Sequence, residues 1–222
     1  MSDSIAPMGA FFDSVAPQYD VVQTSNIDRG PEYYAALANP LERTEADLRL
    51  LDLGAGTGLD LVCFFDKMPN LRVDCYDLAP KLLEQLVARF EHRKAQIALH
   101  VENYLTAALP RSHYDLVLAS ATLHHFTEPE KEALMGRIVQ TIKAGARLVV
   151  GDFYVDAETA GKFRAYYDSF TTGGRDVSRG QYHLDIPTTL ESDRQLLERC
   201  DLVDVDVHWQ SSNYAIMTAM RP

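Results

Sequence analysis

The sequence predicts an α/β domain: a seven-stranded sheet with helices on both faces and an antiparallel pair of strands at its end. Three observations carry this. Five short apolar runs alternate with amphipathic helical segments between Leu48 and Phe153, the pattern of βαβ units on a parallel sheet. The first run ends in a glycine-rich turn, "LGAGTG". The last two runs, "LVDVDVHWQ" and "NYAIMTAMR", are separated only by "SS", a gap that requires an antiparallel hairpin.

Each element has its own signal. The first ~45 residues read as irregular or short-helical. "PEYYAALANPLERTEADL" reads as a helix that Pro31 opens at its first turn. "LRLLDL" is a short apolar strand, and "GLDLVCFFDKM" is a helix closed by Pro69. "LRVDCYDL" is a second strand. The helix "APKLLEQLVARFEHR" follows, with Leu82, Leu83, Leu86, Val87 and Phe90 on one face. "AQIALHVEN" and "YDLVLAS" are the third and fourth strands. "EPEKEALMGRIVQTIKAG" is a helix with an acidic first turn and Gly145 at its end, and "ARLVVGDF" is the fifth strand. "DAETAGKFRAYYDSF" is helical. "TTGGRDVSRGQYHLDIP", with Gly173, Gly174 and Gly180, is a loop long enough to suggest a functional role. "TTLESDRQLLERC" is the last helix, with Thr188 and Glu191 spaced as a capping box.

A length of 222 residues and 46% hydrophobic content suit one domain spanning 1–222. The formal net charge of -11 argues against a phosphate-reading surface and is read as favouring solubility. Three cysteines, an odd number with no CxxC, fit free thiols in a reducing compartment. The start of the chain has no basic segment followed by an apolar core, and no run approaches the ~18 apolar residues of a membrane helix. The expected setting is cytoplasmic, with no membrane partner.

In a parallel α/β sheet, ligands bind at the carboxyl ends of the strands. Gly54, Gly56 and Gly58 fall there, at the start of a helix with free N–H groups. The dinucleotide fingerprint is GxGxxG, whereas this chain has GxGxG with Leu59 in the third glycine's place. Asp77, about 20 positions on, suits a ribose diol. The competing reading is a turn that only lets a helix pack close to a strand.

"LLDLGAGTG", "VDCYDLAP", "YDLVLASATLHHF" and the closing hairpin resemble the motifs of class I S-adenosylmethionine-dependent methyltransferases. "FFDSVAPQYD" is similar to a lead-in common among their small-molecule members. "FTEPEKEAL" with "HWQSSNYAIMTAMR" looks like the subgroup that includes the tRNA wobble-uridine carboxymethyl-transferring enzymes. The resemblance implies a three-layer αβα Rossmann-like methyltransferase fold with a seven-stranded mixed sheet, and S-adenosyl-L-methionine as cofactor. It implies that Gly54, Ala55 and Gly56 line the methionyl end and that Asp52 holds the amino group. Asp77 would take the ribose hydroxyls and Leu78 would flank the adenine. Asn103, with Tyr104 next to it, would meet the adenine amino group. Ala119 and Ser120 would back the methionyl chain. An aromatic residue would cover the sulfonium; Tyr33 is preferred to Tyr19 because its helix lies nearest the first strand in sequence. Carboxymethyl-transferring relatives carry an arginine where this chain has Leu196, so ordinary S-adenosylmethionine is expected.

Methyl transfer needs a positioned nucleophile and a dry pocket, and a base only if the acceptor arrives protonated. His124 and His125 are the candidate bases, although "LHHF" also suits a capping or loop-ordering role. Asp152, Tyr154 and His183 are weaker candidates. No metal is expected, because no His/Cys/Asp/Glu cluster in the sequence completes the histidine pair. Lid segments are expected over 1–45 and 156–187, and their aromatic residues suggest a small acceptor. A tRNA acceptor and a homodimer stay open. The rival readings are a non-catalytic cofactor-binding or regulatory protein and an NAD(P) oxidoreductase.

Overall fold

Apolar runs become strands here because both faces of the sheet are covered, so no face can be polar. The computed structural model describes residues 5–172 and 176–222; Gly173 and Gly174 of the long loop lie outside the described residues. The strands are β1 (Arg49–Leu53), β2 (Arg72–Asp77), β3 (Ile97–Val101), β4 (Tyr114–Ser120), β5 (Ile142–Phe153), β6 (Val203–Gln210) and β7 (Tyr214–Met220). Their order is β3-β2-β1-β4-β5-β7-β6. The first five run parallel, and β7 is antiparallel to both β5 and β6. Strand order reverses between β1 and β4, which opens a crevice at their carboxyl ends.

The helices are α1 (Met8–Val15), α2 (Tyr19–Asn26), α3 (Gly30–Ala36), α4 (Leu61–Lys67), α5 (Pro80–Arg89), α6 (Glu128–Thr141), α7 (Ala157–Thr171) and α8 (Leu190–Arg199). The two-residue period of β1 sends Leu51 and Leu53 to one core and Leu50 to the other. The first core takes Leu134 and Ile138 of α6 with Leu196 of α8. The second takes Tyr33 of α3, Phe64 of α4 and Leu83 of α5.

Three boundaries differ from the sequence reading. α6 stops at Thr141, and Ile142 already pairs with Tyr114 as β5 begins. Gly145 therefore does not cap a helix: it sits in β5 at φ 74°, where the β4–β5 register shifts, and its N–H donates to the Arg221 carbonyl. α3 is only one short helix, ending before Pro40. The cap of α8 is Thr189, whose hydroxyl accepts the Ser192 N–H at 3.1 Å. Thr188 is used elsewhere, and the chain's capping box is Thr127 with Glu130 at the start of α6.

Thr188 belongs to a buried ionic knot. Lys131 of α6 is 1% exposed, and its Nζ donates to Thr188 Oγ1 and to both Asp193 oxygens, each at 3.0 Å. The knot joins α6 to α8 and to the long loop. Lys131→Ala would strand Asp193 in the interior, and loss of one partner of a buried pair costs about 3–5 kcal/mol. Chemical denaturation should show a loss of that size; a change under about 1 kcal/mol would mean the knot is solvated.

The N-terminal segment and the long loop meet over the crevice. Pro7 forms an antiparallel bridge with Tyr182, Met8 N–H donates to the Gln181 carbonyl at 2.8 Å, and His183 N–H donates to the Ala6 carbonyl at 3.0 Å. Ile186 N–H donates to the His124 carbonyl, fastening the loop to the turn after β4.

Candidate active site at the carboxyl ends of the strands

The glycine turn follows β1 directly. The N–H groups of Gly54 and Ala55 both donate to the Tyr76 carbonyl, at 2.8 and 3.1 Å, folding the turn back over β2. Gly54 has φ 76°, and a Cβ there would lie 2.5 Å from Thr122 Oγ1, so no side chain fits. Gly58 has another role: a Cβ would lie 2.9 Å from the Phe90 ring, so this glycine admits the end of α5. At both glycines the turn allows close packing within the protein, against Thr122 and against the end of α5.

Two carboxylates flank the turn. Asp77 ends β2; its Oδ2 accepts the Gly56 N–H and its Oδ1 the Ala79 N–H, both at 2.8 Å. Asp52, inside β1, is 0% exposed, and neither oxygen has a hydrogen-bond partner among the described residues. Burial, reinforced by the nearby Asp60 and Asp77 charges, raises its carboxyl well above the usual range. Left without a partner, the ionised form of such an interior carboxyl is costly.

The crevice is lined by Gly54, Asp77, Leu78, Asn103 and Tyr104 below, and by Met8, Phe12 and Tyr19 from the N-terminal helices. Tyr19 is held over Gly56 by its neighbour. Asp20 accepts the Thr57 hydroxyl at 2.6 Å and pairs with Arg89. Asn103 is tied locally: Oδ1 accepts the Leu105 N–H and Nδ2 donates to the Arg179 carbonyl. The Tyr104 hydroxyl meets Thr122 Oγ1 at 2.6 Å.

The preference for Tyr33 does not survive the geometry. Tyr33 is 0% exposed, and its hydroxyl donates to the Gly151 carbonyl at 2.8 Å and meets Ser120 Oγ at 3.0 Å. Its ring packs on Tyr34, Trp209 and Tyr214 in the core. Sequence proximity to β1 put α3 on the wrong side: it packs across the sheet face toward β7. Tyr19 reaches the crevice instead. Ser120 is occupied by Tyr33, and Ala119 points into the core, so neither lines the crevice; the next two residues, Ala121 and Thr122, do. Ala121 has φ 49°, and this left-handed turn swings Thr122 over Gly54. No residue type in "SATLHHF" marks that turn in advance.

A second cavity of about 290 Å³ adjoins the crevice, sharing Phe12, Tyr19, Ala121 and His125 as walls. His124 opens only on this second space. Its Nδ1 lies 2.5 Å from Asp152 Oδ1, and Asp152 also accepts the backbone N–H of His124 and of Phe153. Burial draws the His124 imidazole down, but the Asp152 carboxylate outweighs it and the net shift is upward. Asp152 is pulled down by the same pairing against its own burial. Burial, then the charge of His124, lowers His125. His183 stacks on Phe11 at 3.5 Å, and burial brings it down to about 4. Tyr154 is buried, with its hydroxyl unpartnered among the described residues, and lines neither space.

The histidine pair does have a third companion. Asp185 of the long loop brings its Oδ1 to 3.2 Å from His125 Nδ1 and 3.9 Å from His124 Nε2. The ligating atoms of the three residues lie within 4.8 Å of one another, which corrects the expectation that no cluster completes the pair. The sequence separation of 60 positions hid it.

Among the described residues, no helix is long and apolar enough to cross a membrane. Residues 50–145 match the family model described as "Methyltransferase domain". The chain is 26% identical over 142 residues to demethylmenaquinone methyltransferase of Thermus thermophilus, covering 64% of this chain and 64% of that one. It is 29% identical over 111 residues to malonyl-[acyl-carrier protein] O-methyltransferase of Acetivibrio thermocellus, covering 50% of this chain and 37% of that one. The structure of phosphoethanolamine N-methyltransferase 2 of Haemonchus contortus with S-adenosyl-L-methionine superposes with TM-score 0.70 at 14% identity, over 100% of this chain and 61% of the other. The chain thus spans less than two thirds of the length of each of these. Residues 50–145 match a methyltransferase domain, and that segment carries the glycine turn at the reversal point of a sheet ordered 3-2-1-4-5-7-6, the Rossmann-like methyltransferase fold.

Proposed function

We infer that the chain moves a methyl group from S-adenosyl-L-methionine to a small acceptor bearing an ionisable oxygen. The observation that carries this is the adjacency of the two spaces: the crevice at the glycine turn shares a wall with the cavity onto which the His124–Asp152 pair opens.

The residues present fit the cofactor. The unmet Asp52 oxygens suit its ammonium, and Asp77 keeps lone pairs for the ribose hydroxyls. Leu78, Asn103 and Tyr104 form the adenine end, with Ala121 and Thr122 taking the backing role first given to Ala119 and Ser120. Gly54, Ala55 and Gly56 border the methionyl end, with Tyr19 above them. When bound, the cofactor supplies an electrophilic methyl on a sulfonium. His124 is the base: Asp152 fixes its Nδ1–H, which leaves Nε2 free to take the acceptor proton. Phe11, Phe12, Phe153 and Tyr214 exclude water around it and favour a flat or apolar acceptor. The two sequence relatives are named for methylation of demethylmenaquinone and for O-methylation of malonyl-[acyl-carrier protein], and the second name gives oxygen as the acceptor atom.

Membership of the carboxymethyl-transferring subgroup rests on two sequence segments alone. Leu196, at the position of that subgroup's arginine, is buried in the core, which favours the ordinary cofactor. The three cysteines are free, in keeping with a cytoplasmic protein. Calorimetry with S-adenosylhomocysteine and a labelled-methyl screen over phenols, enols and carboxylic acids test the reading. Tight binding with transfer to one of these classes supports it. Tight binding with no transfer to any of them, or to tRNA, favours a regulatory cofactor-binding protein.

A further inference from the structure

The base assigned to His124 uses one nitrogen of a larger constellation. Asp185 Oδ1 lies 3.2 Å from His125 Nδ1 and 3.9 Å from His124 Nε2, and the three ligating atoms fall within 4.8 Å of one another. Bonds of ~2.0–2.2 Å meeting at one tetrahedral ion place ligand atoms about 3.3–3.5 Å apart, so small side-chain rotations close this set. Behind His124 stands the buried Asp152, 2.5 Å from Nδ1 and itself anchored by two backbone N–H groups. A carboxylate behind a histidine fixes the tautomer of a metal ligand and raises its basicity. Ahead of the set lies the cavity of about 290 Å³, with room for a fourth, exchangeable ligand.

We propose that His124 Nε2, His125 Nδ1 and Asp185 Oδ1 form a site for one divalent transition-metal ion, open on the fourth side to the acceptor cavity. Two imidazoles with one carboxylate favour zinc or its borderline neighbours over magnesium or calcium. Loading is a ligand exchange without redox change. The His125 proton moves from Nδ1, where it faces the Leu184 carbonyl at 3.2 Å, to Nε2, and the ion takes the freed lone pair. On His124, Asp152 keeps Nδ1–H in place, and any proton on Nε2 passes to solvent as the ion binds. The ion then occupies the lone pair that would take the acceptor proton, so metal inhibits methyl transfer. That consequence rests on His124 being the base; the site itself does not.

Calorimetric titration of the chelator-treated chain with zinc tests the site without any acceptor. One ion per chain is expected. Asp185→Asn and His125→Ala should each weaken binding at least about tenfold. His100→Ala, at a histidine outside the cavity, should change nothing. S-adenosylhomocysteine affinity serves as the folding check for Asp185→Asn. If that variant does not fold, the visible spectrum of cobalt added to the unaltered chain replaces it: a four- or five-coordinate nitrogen–oxygen spectrum supports the site, and a hexaaquo spectrum overturns it. Absence of binding, or zinc affinity that survives both substitutions, also overturns it. Zinc that binds at this site yet leaves transfer unaffected would support the site and remove His124 as the base.

Discussion

His124→Ala is expected to lower kcat for an oxygen acceptor by roughly 100- to 10,000-fold, the usual span for a lost general base, with S-adenosylhomocysteine affinity unchanged. The separation follows from geometry, since His124 opens on the second cavity and not on the crevice. The pH profile adds a signature. A base works deprotonated, and the Asp152 carboxylate holds the His124 imidazole above its ordinary range despite burial. Rate should therefore climb as pH rises through that elevated value. Asp152→Asn removes the pairing charge: the rising limb should move to lower pH while the plateau drops. A profile unmoved by Asp152→Asn, or a His124→Ala enzyme that keeps its rate, would leave proximity alone as the source of catalysis.

The second large effect concerns Asp52. Asp52→Asn should weaken S-adenosylhomocysteine binding by at least about 30-fold, equivalent to about 2 kcal/mol for loss of one partner of a buried charge pair. The ligand-free protein should move the opposite way. Burial raises the Asp52 carboxyl above its unfolded value, so its folded form holds the proton more tightly. Such a group costs nothing below the unfolded range, ~4, and stability falls as pH rises through the elevated folded value. Asp52→Asn removes that penalty, so its ligand-free melting temperature should exceed the parent's at alkaline pH, with the gap closing toward acid. Ligand affinity of the parent should rise over the same interval, as the carboxylate ionises. A variant with parental affinity, or one that melts lower at every pH, would show that Asp52 meets no ammonium.

The sheet was legible because its signals are local. Continuous apolar runs, glycine after β1 and the short gap before β7, three residues in the structure, each stand within a few residues of the feature they determine. Asp77 and Asn103 were legible for a related reason: parallel strands deliver their carboxyl ends to one edge, so residues at or just past those ends reach the crevice. Asp152 and His124 obey the same rule, because β5 neighbours β4 in register, Ser120 opposite Gly151. What escaped depends on contacts between distant segments. Gly145 reads as a helix end until the Arg221 carbonyl is known to receive its N–H. Nearness to β1 in sequence favoured Tyr33 over Tyr19, and only the Asp20–Thr57 and Tyr33–Gly151 hydrogen bonds reverse that order. Asp185 lies in a loop without periodicity, delivered by the Ile186–His124 backbone bond.

The roof over the crevice carries a kinetic consequence. With Pro7 bridged to Tyr182 and Met8 bonded to Gln181, the crevice holds only about 50 Å³ of free space, against ~300–1,000 Å³ for a typical small-molecule pocket. The roof narrows the way in, so association of a nucleoside should speed up when the two backbone hydrogen bonds part. Observed on-rates should then level off with ligand concentration at the opening rate, and amide exchange at Met8 and His183 should report the same opening. Release of a bound donor should wait on the same opening, so off-rates of S-adenosylhomocysteine should follow the exchange rates at Met8 and His183.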